Sequence, residues 1–256
     1  MKSNRIVPGA EPFRFDAGPT GALLIHGFTG SPAAMRPMGE WLAQHGISTA
    51  GPRLAGHGTT WEDLDSTTWQ DWERDAEGAL ADIGSRCSDV IVVGLSMGGA
   101  MSLHLAAKHA GELRGVAVIN PDVRRPQLAL APALRLFTRT IKGVGNDIKK
   151  AGQDEIVYDR TPLRAATQLG KLYKTVQGEL PSVKLPLLVF SSDVDHVAKP
   201  SNSRFVMAHA GSPQKELVAL RNSYHVATLD HDADLIFQRV LDFAHSLTTN
   251  ASTEPA

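Results

Sequence analysis

Ser96 stands in Gly94-Leu95-Ser96-Met97-Gly98, directly after the apolar run Val90-Ile91-Val92-Val93 and directly before a helical pattern. A buried strand, a sharp turn carrying a serine and a helix together make a G-x-S-x-G nucleophile elbow. The chemistry needs that geometry. The hydroxyl must project from the end of a sheet, where strand and helix backbones pass so close that small residues are required, here Gly94 and Gly98. The first helical amides, Met97 foremost, leave unpaired N–H groups beside the serine, where negative charge can be held. The same five residues also occur by chance as a plain strand-to-helix turn, so Ser96 needs partners before it reads as a catalyst.

A serine nucleophile needs a base, and the base needs an orienting carboxylate, expected in the chain order serine, acid, histidine. Two strand ends supply candidates. Residues 185–190 read as a buried strand that runs into Ser191-Ser192-Asp193-Val194-Asp195-His196-Val197. Residues 216–220 read as the last strand, running into Arg221-Asn222-Ser223-Tyr224-His225. Asp193 and Asp195 both have the order and context of the acid. Among ten histidines, only His225 has both the order and the strand-end position of the base. His104 and His109, five apart on the elbow helix, face different ways and suit no metal pair. His26 and His57 sit in glycine-rich loops that they are expected to hold by hydrogen bonds, and His196 precedes the last strand. His45, His209, His231 and His245 lie in or near helices, where solvation is the simplest reading. An oxyanion needs two preorganised donors. One is the Met97 amide, and the other is expected from the loop His26-Gly27-Phe28-Thr29-Gly30, at the Phe28 amide.

The elements that must position these groups follow from hydrophobic periodicity. Short apolar runs at 13–15, 22–25, 47–50, 90–93, 115–119, 185–190 and 216–220 read as strands. Helical patterns lie between them. Ser31-Pro32 looks like a cap and first turn for a helix carrying Met35, Met38, Trp41 and Leu42, with Pro37 arguing for a kink or a later start. Thr67-x-x-Gln70 reads as a capping box for a helix over 68–85 with Trp72, Ala76 and Leu80 inward. The elbow helix runs from 97 to about 110, and further helices are expected at 200–209 and 233–247. Such alternation means βαβ units and a mostly parallel sheet flanked by helices, an α/β fold. Between 121 and 181 the rhythm breaks, with helix-like pieces, loops and no convincing strand. This insertion reads as a helical cap over the carboxyl edge of a core formed by 1–120 and 182–256.

Composition excludes several classes. A net charge of −1 gives no electrostatic basis for binding nucleic acid. One cysteine, Cys87, rules out an internal disulfide, fits a reducing compartment and is expected to pack in the core. The start MKSNRIVPGAEPF has no apolar run of signal-peptide length, and no stretch approaches membrane-span length, so a cytoplasmic location is expected. The tail TTNASTEPA is expected to fray. A serine, acid and histidine mechanism requires neither a metal nor an organic cofactor.

Five stretches go further: LLIHGFTGSP with MRPM (23–38), PRLAGHGT (52–59), GLSMGG (94–99), SSDVDHV (191–197) and RNSYHVATLD (221–230). Across nearly its whole length the chain resembles the bacterial monoacylglycerol lipases and related carboxylesterases of the α/β-hydrolase fold. In that fold's pattern the acid precedes a short hydrophobic run ending in proline, as Asp195 precedes Val197-Ala198-Lys199-Pro200. The resemblance therefore implies Asp195 as the acid and leaves Asp193 as a turn residue. It implies a serine esterase acting through Ser96, Asp195 and His225, with Phe28 and Met97 at the oxyanion. In monoacylglycerol lipases a cap carboxylate reads the glycerol hydroxyls, and Glu155 matches that place by its distance before Thr161-Pro162, although a surface acid would look the same. The cap's apolar residues (Leu128, Leu130, Leu134, Leu136, Phe137, Ile141) interleave with Arg124, Arg125, Arg135, Arg139 and Lys142. That face suits an acyl chain below and transient contact with a membrane surface above, or simply a helix packed on the core. The expected substrate is a monoacylglycerol. A generalist short- to medium-chain carboxylesterase or thioesterase would use the same triad, and a binding protein on this fold would keep the pocket alone.

Overall fold

Side chains that alternate along β2 (Thr20–Ile25) and β4 (Asp89–Leu95) point into two separate cores. Leu23, Ile25, Val90 and Val92 face one, and Ala22, Leu24, Ile91 and Val93 face the other. A strand apolar on both faces must be covered on both, so the sheet is sandwiched between helices. The structure is a computed structural model and describes residues 5–249. Residues 250–256, most of the tail expected to fray, lie outside the described residues.

The remaining strands of the main sheet are β1 (Phe13–Phe15), β3 (Ile47–Gly51), β5 (Gly115–Ile119), β8 (Leu187–Ser192) and β9 (Lys215–Leu220). Their order is β1-β3-β2-β4-β5-β8-β9, and only β1, on β3, is antiparallel. This is the α/β-hydrolase architecture. Helices α1 (Arg36–Gln44) and α8 (Ala233–Thr249) cover one face through Met38, Leu42, Ile236 and Val240. On the other face lie α3 (Trp69–Gly84), α4 (Met97–Lys108) and α6 (Leu163–Glu179), contributing Trp72, Leu80, Met101, Leu105, Leu172 and Val176. Cys87 packs in this core. The remaining helices are α2 (Trp61–Ser66), α5 (Ala131–Leu134) and α7 (Ser201–His209).

Four local expectations are corrected. The box at the start of α3 is Thr68 with Asp71, whose Oδ2 accepts the Thr68 N–H at 2.9 Å. Thr67 instead takes the Trp72 indole N–H on its hydroxyl at 2.9 Å. Ser31 makes no capping bond; a 3-10 turn over Pro32–Ala34 precedes α1, which starts late with Pro37 in its first turn. The six-residue α2 has no counterpart in the sequence reading, being too short for helical periodicity to register. Within 121–181 the structure has a strand pair, β6 (Thr140–Lys142) with β7 (Arg160–Pro162), antiparallel from Thr140 opposite Pro162 to Lys142 opposite Arg160. Three residues each, far apart in the chain, carry no alternation that could announce a strand.

Within the segment from β5 to β8, Tyr158 reaches the loop after β3, donating its hydroxyl to Gly56 O (2.7 Å) and accepting from Thr59 N (2.9 Å). The last helix of the segment is tied to the elbow helix. His104 on α4 has one ring nitrogen 2.9 Å from Glu73 Oε1 on α3 and the other 2.7 Å from Glu179 Oε2 on α6. Among the described residues, no helix is long and apolar enough to cross a membrane, and no group of histidine, cysteine and acidic side chains is placed to hold a metal ion.

Candidate active site

Ser96 ends β4 and caps α4 with φ 57° and ψ −117°, a conformation that non-glycine residues seldom adopt. The glycines around it explain why the turn folds this way. A Cβ on Gly94 would lie 2.1 Å from Gly98 O, and a Cβ on Gly98 would lie 2.1 Å from Ile25 O. The strained turn is pinned by its own backbone: Ser96 N donates to Ile119 O at 2.9 Å, and Ser96 O accepts from Asp122 N and Ala100 N, each at 3.2 Å. Among the described residues, Thr29, Ser96 and Asn120 are the non-glycine residues with positive φ; Ser96 and Asn120 directly follow β4 and β5, and Thr29 lies in the loop after the neighbouring β2. Such clustering of backbone strain is characteristic of functional sites.

His225 follows β9, and its Nδ1 lies 2.7 Å from Asp195 Oδ2, on the loop after β8. The other oxygen of Asp195 accepts from Val197 N (2.8 Å) and Ala198 N (2.7 Å), which fixes the carboxylate toward the ring. Asp193, the competing acid, is exposed on the turn. Burial disfavours the His225 imidazolium, but the hydrogen bond and charge of Asp195, with further charge from Asp122 and Glu155, outweigh it and raise the pKa above the usual imidazole value. Among the described residues no hydrogen bond joins Ser96 Oγ to His225, although both line one cavity. Resting catalytic contacts are often long and tighten with substrate bound.

The Phe28 amide follows Gly27 in a loop that crosses beside the elbow, a Cβ on Gly27 lying 3.4 Å from the Ser96 Cβ. Phe28 itself leans on Trp72 and His57, with ring centroids 5.8 and 6.1 Å apart. The histidines behind this loop hold it as expected. His26 Nδ1 donates to Gly27 O at 2.9 Å and Nε2 accepts from Leu54 N at 3.2 Å, which requires a neutral ring. Burial lowers the His26 pKa to about 4, in agreement with that tautomer. Met97, the first residue of α4, is fully buried and presents its amide at the helix N-terminus.

Ser96, His225, Phe28 and Glu155 line a partly open cavity of about 70 Å³, walled by Leu128 and Tyr173 among others. Room for one water takes roughly 10–15 Å³ on this measure, so the space beside Ser96 is that of a few waters or a short acyl group. Glu155 is a half-buried residue whose carboxyl oxygen packs close over Gly30, where a Cβ would lie 2.6 Å away. Burial raises its carboxyl pKa to about 7, against the pull of His225.

Three supporting residues escape the sequence reading. Asn120 Oδ1 accepts from Ser192 N (2.7 Å), and its Nδ2 donates to Ser192 Oγ (2.9 Å) and His225 O (2.8 Å), tying three strand ends together. Asp122, buried beside the elbow, pairs with Arg125; burial is the larger influence and pushes its carboxyl up. Asp147 accepts from both the acid loop and the histidine loop. The positive φ of Asn120 and the position of Asp147 within the insertion have no signature in composition or periodicity.

The chain is similar over nearly its whole length to known hydrolases. The Hydrolase_4 family model, described as serine aminopeptidase S33, matches residues 21–232. A thermostable monoacylglycerol lipase of Bacillus sp. (strain H-257) is 41% identical over 239 residues, covering 93% of this chain and 95% of the lipase. A carboxylesterase of Bacillus subtilis (strain 168) is 26% identical over 240 residues, 93% of this chain and 97% of that protein. A solved structure from work on the metagenome-derived lipolytic enzymes LipS and LipT superposes with a TM-score of 0.92 at 39% identity, covering 94% of this chain and 100% of that one.

Proposed function

The chain belongs to the Hydrolase_4 family of serine hydrolases, and we propose that it cleaves monoacylglycerols to fatty acid and glycerol through an acyl-serine intermediate. The observation that carries this reading is the convergence of Ser96, His225 and the Glu155 carboxyl on one cavity. Ser96 Oγ attacks the ester carbonyl carbon while His225 Nε2 takes the hydroxyl proton, and Asp195 holds the ring in the Nδ1–H tautomer and stabilises its charge. The amides of Phe28 and Met97 receive the oxyanion. Collapse breaks the bond to glycerol, whose oxygen takes the proton from His225. Water then attacks the acyl-serine with His225 again as base, releasing the fatty acid and restoring Ser96. Glu155 reads the glycerol hydroxyls. A second reading, a generalist esterase of short acyl groups, is favoured by the small volume beside Ser96.

We take residues 121–181 as the cap on a core of 1–120 and 182–256, with α6 as its anchored base. The outer face of the cap exposes Leu136 (82%) and Phe137 (88%), with Leu130 and Val144 nearby and Arg135, Arg139 and Lys142 between them. Apolar side chains interleaved with cations suit transient docking on an anionic lipid surface. Leu136→Asp/Phe137→Asp should lose co-sedimentation with phosphatidylglycerol vesicles and keep hydrolysis of soluble p-nitrophenyl acetate; unchanged sedimentation would remove the lipid surface from the proposal.

Glu155→Gln separates the two substrate readings and carries a pH signature. The KM for a monoacylglycerol should rise about tenfold, the scale of one lost hydrogen bond to a charged group, with p-nitrophenyl esters unaffected. His225 must be neutral to accept the Ser96 proton, so kcat/KM rises with pH through its pKa. The Glu155 charge is one of the influences raising that pKa, so its removal moves the acid limb to lower pH. Equal effects on both esters, or an unmoved limb, would favour the generalist reading.

A further inference from the structure

Two loops must hold still for the histidine–carboxylate pair to survive, and one side chain from outside both of them bonds to each. Asp147 lies between β6 and β7, far in sequence from either loop. Its Oδ2 accepts the backbone N–H of His196 at 3.1 Å and that of His225 at 3.2 Å. Its Oδ1 lies 2.8 Å from His196 Nδ1, and its own carbonyl accepts Val226 N at 3.1 Å. His196 adjoins Asp195, so one carboxylate spans the neighbour of the acid and the base itself.

The loop that delivers Asp147 is bolted a second time. Asp230, five residues past the base, accepts Lys149 N (2.7 Å) and Tyr224 N (2.9 Å) on Oδ2, and Lys150 N (2.9 Å) and His231 N (2.8 Å) on Oδ1. Burial opposes the Asp230 charge, but the four backbone donors prevail and hold its pKa below the usual carboxylate range. Residues 147–150 are thus fixed to the loop of the base.

We propose that Asp147 is a positioning residue: from the insertion over the sheet it sets the spacing between the Asp195 loop and the His225 loop, and so the 2.7 Å bond between them. This rests on the serine-hydrolase reading above. Backbone N–H groups are its targets, so an oxygen acceptor of the same length serves in part and an apolar side chain does not. Small misplacements of reacting groups cost about 10²-fold in rate.

The test measures kcat, KM and pH profiles of Asp147→Ala and Asp147→Asn on both p-nitrophenyl acetate and a monoacylglycerol. Asp147→Ala should lower kcat by about 10²-fold equally on both esters, with KM within twofold and the acid limb of kcat displaced downward. Asp147→Asn should recover most of the loss. A kcat within twofold of wild type in Asp147→Ala, or a loss confined to the KM of the monoacylglycerol, would overturn the proposal. Amide hydrogen exchange on the wild-type protein provides a measurement that needs no variant to fold. Slow exchange at both His196 and His225 is expected, and fast exchange at either overturns the bridge. Failure of the hydrolase reading looks different, because the wild type would then show no Ser96-dependent turnover at all.

Discussion

Ser96→Ala lowers kcat/KM for a monoacylglycerol by at least about 10⁴-fold, with stability changed by no more than about 1 kcal/mol. The size follows from the role. Without Oγ no acyl-enzyme forms, and what remains is whatever the oxyanion amides and the base can do for a bound water, a residue of about 10³–10⁴ over the uncatalysed rate in comparable sites. Stability barely moves because the turn is held by the backbone of residue 96, from N to Ile119 O and from O to Asp122 N and Ala100 N, and not by its hydroxyl. Steady-state kinetics beside urea unfolding checks both halves. A variant that loses stability as well as activity would place Ser96 in the scaffold instead.

Gly98→Ala should be among the most damaging single methyl additions to the described residues. Its Cβ would stand 2.1 Å from Ile25 O and 2.6 Å from His26 O, both backbone atoms. Neither can yield cheaply: Ile25 is in parallel register with Gly94, and His26 is buried and bonded on both ring nitrogens. Overpacking of this kind costs about 3 kcal/mol or more, and any relief moves the Phe28 loop away from Ser96. Gly111→Ala is the control, since a Cβ there meets nothing within 4 Å and the change should be neutral or slightly stabilising. Urea unfolding should place Gly98→Ala about 3 kcal/mol or more below wild type and Gly111→Ala at or slightly above it; equal stabilities would show that α4 can slide off β2.

The main-sheet strands were legible chiefly as apolar runs with turn residues at their ends, and the three-residue β1 only through Phe13 and Phe15 on either side of Arg14. The candidate triad was legible for the same reason, since Ser96, Asp195 and His225 each follow a strand. What escaped was short or non-local. The three-residue pair of β6 and β7 and the six-residue α2 are too brief for any period to declare itself. The capping box slipped by one because Thr67 and Thr68 look alike until Trp72 is seen to claim the first. Asp147 and Asn120 act through backbone groups of loops distant in sequence, and such partnerships leave no trace in local pattern. Glu155 could be placed by resemblance, yet its raised pKa depends on the walls that enclose it.

A covalent probe reports most directly on Ser96 as the nucleophile. An alkyl p-nitrophenyl phosphonate mimics the ester, loses p-nitrophenolate to an activated serine and leaves a stable tetrahedral adduct. Peptide mapping of the inactivated protein should find one phosphonyl group per chain, on Ser96, with activity lost in proportion to labelling. A label on any other residue, or full inactivation with Ser96 unmodified, would contradict a Ser96 nucleophile and the acyl-serine mechanism built on it.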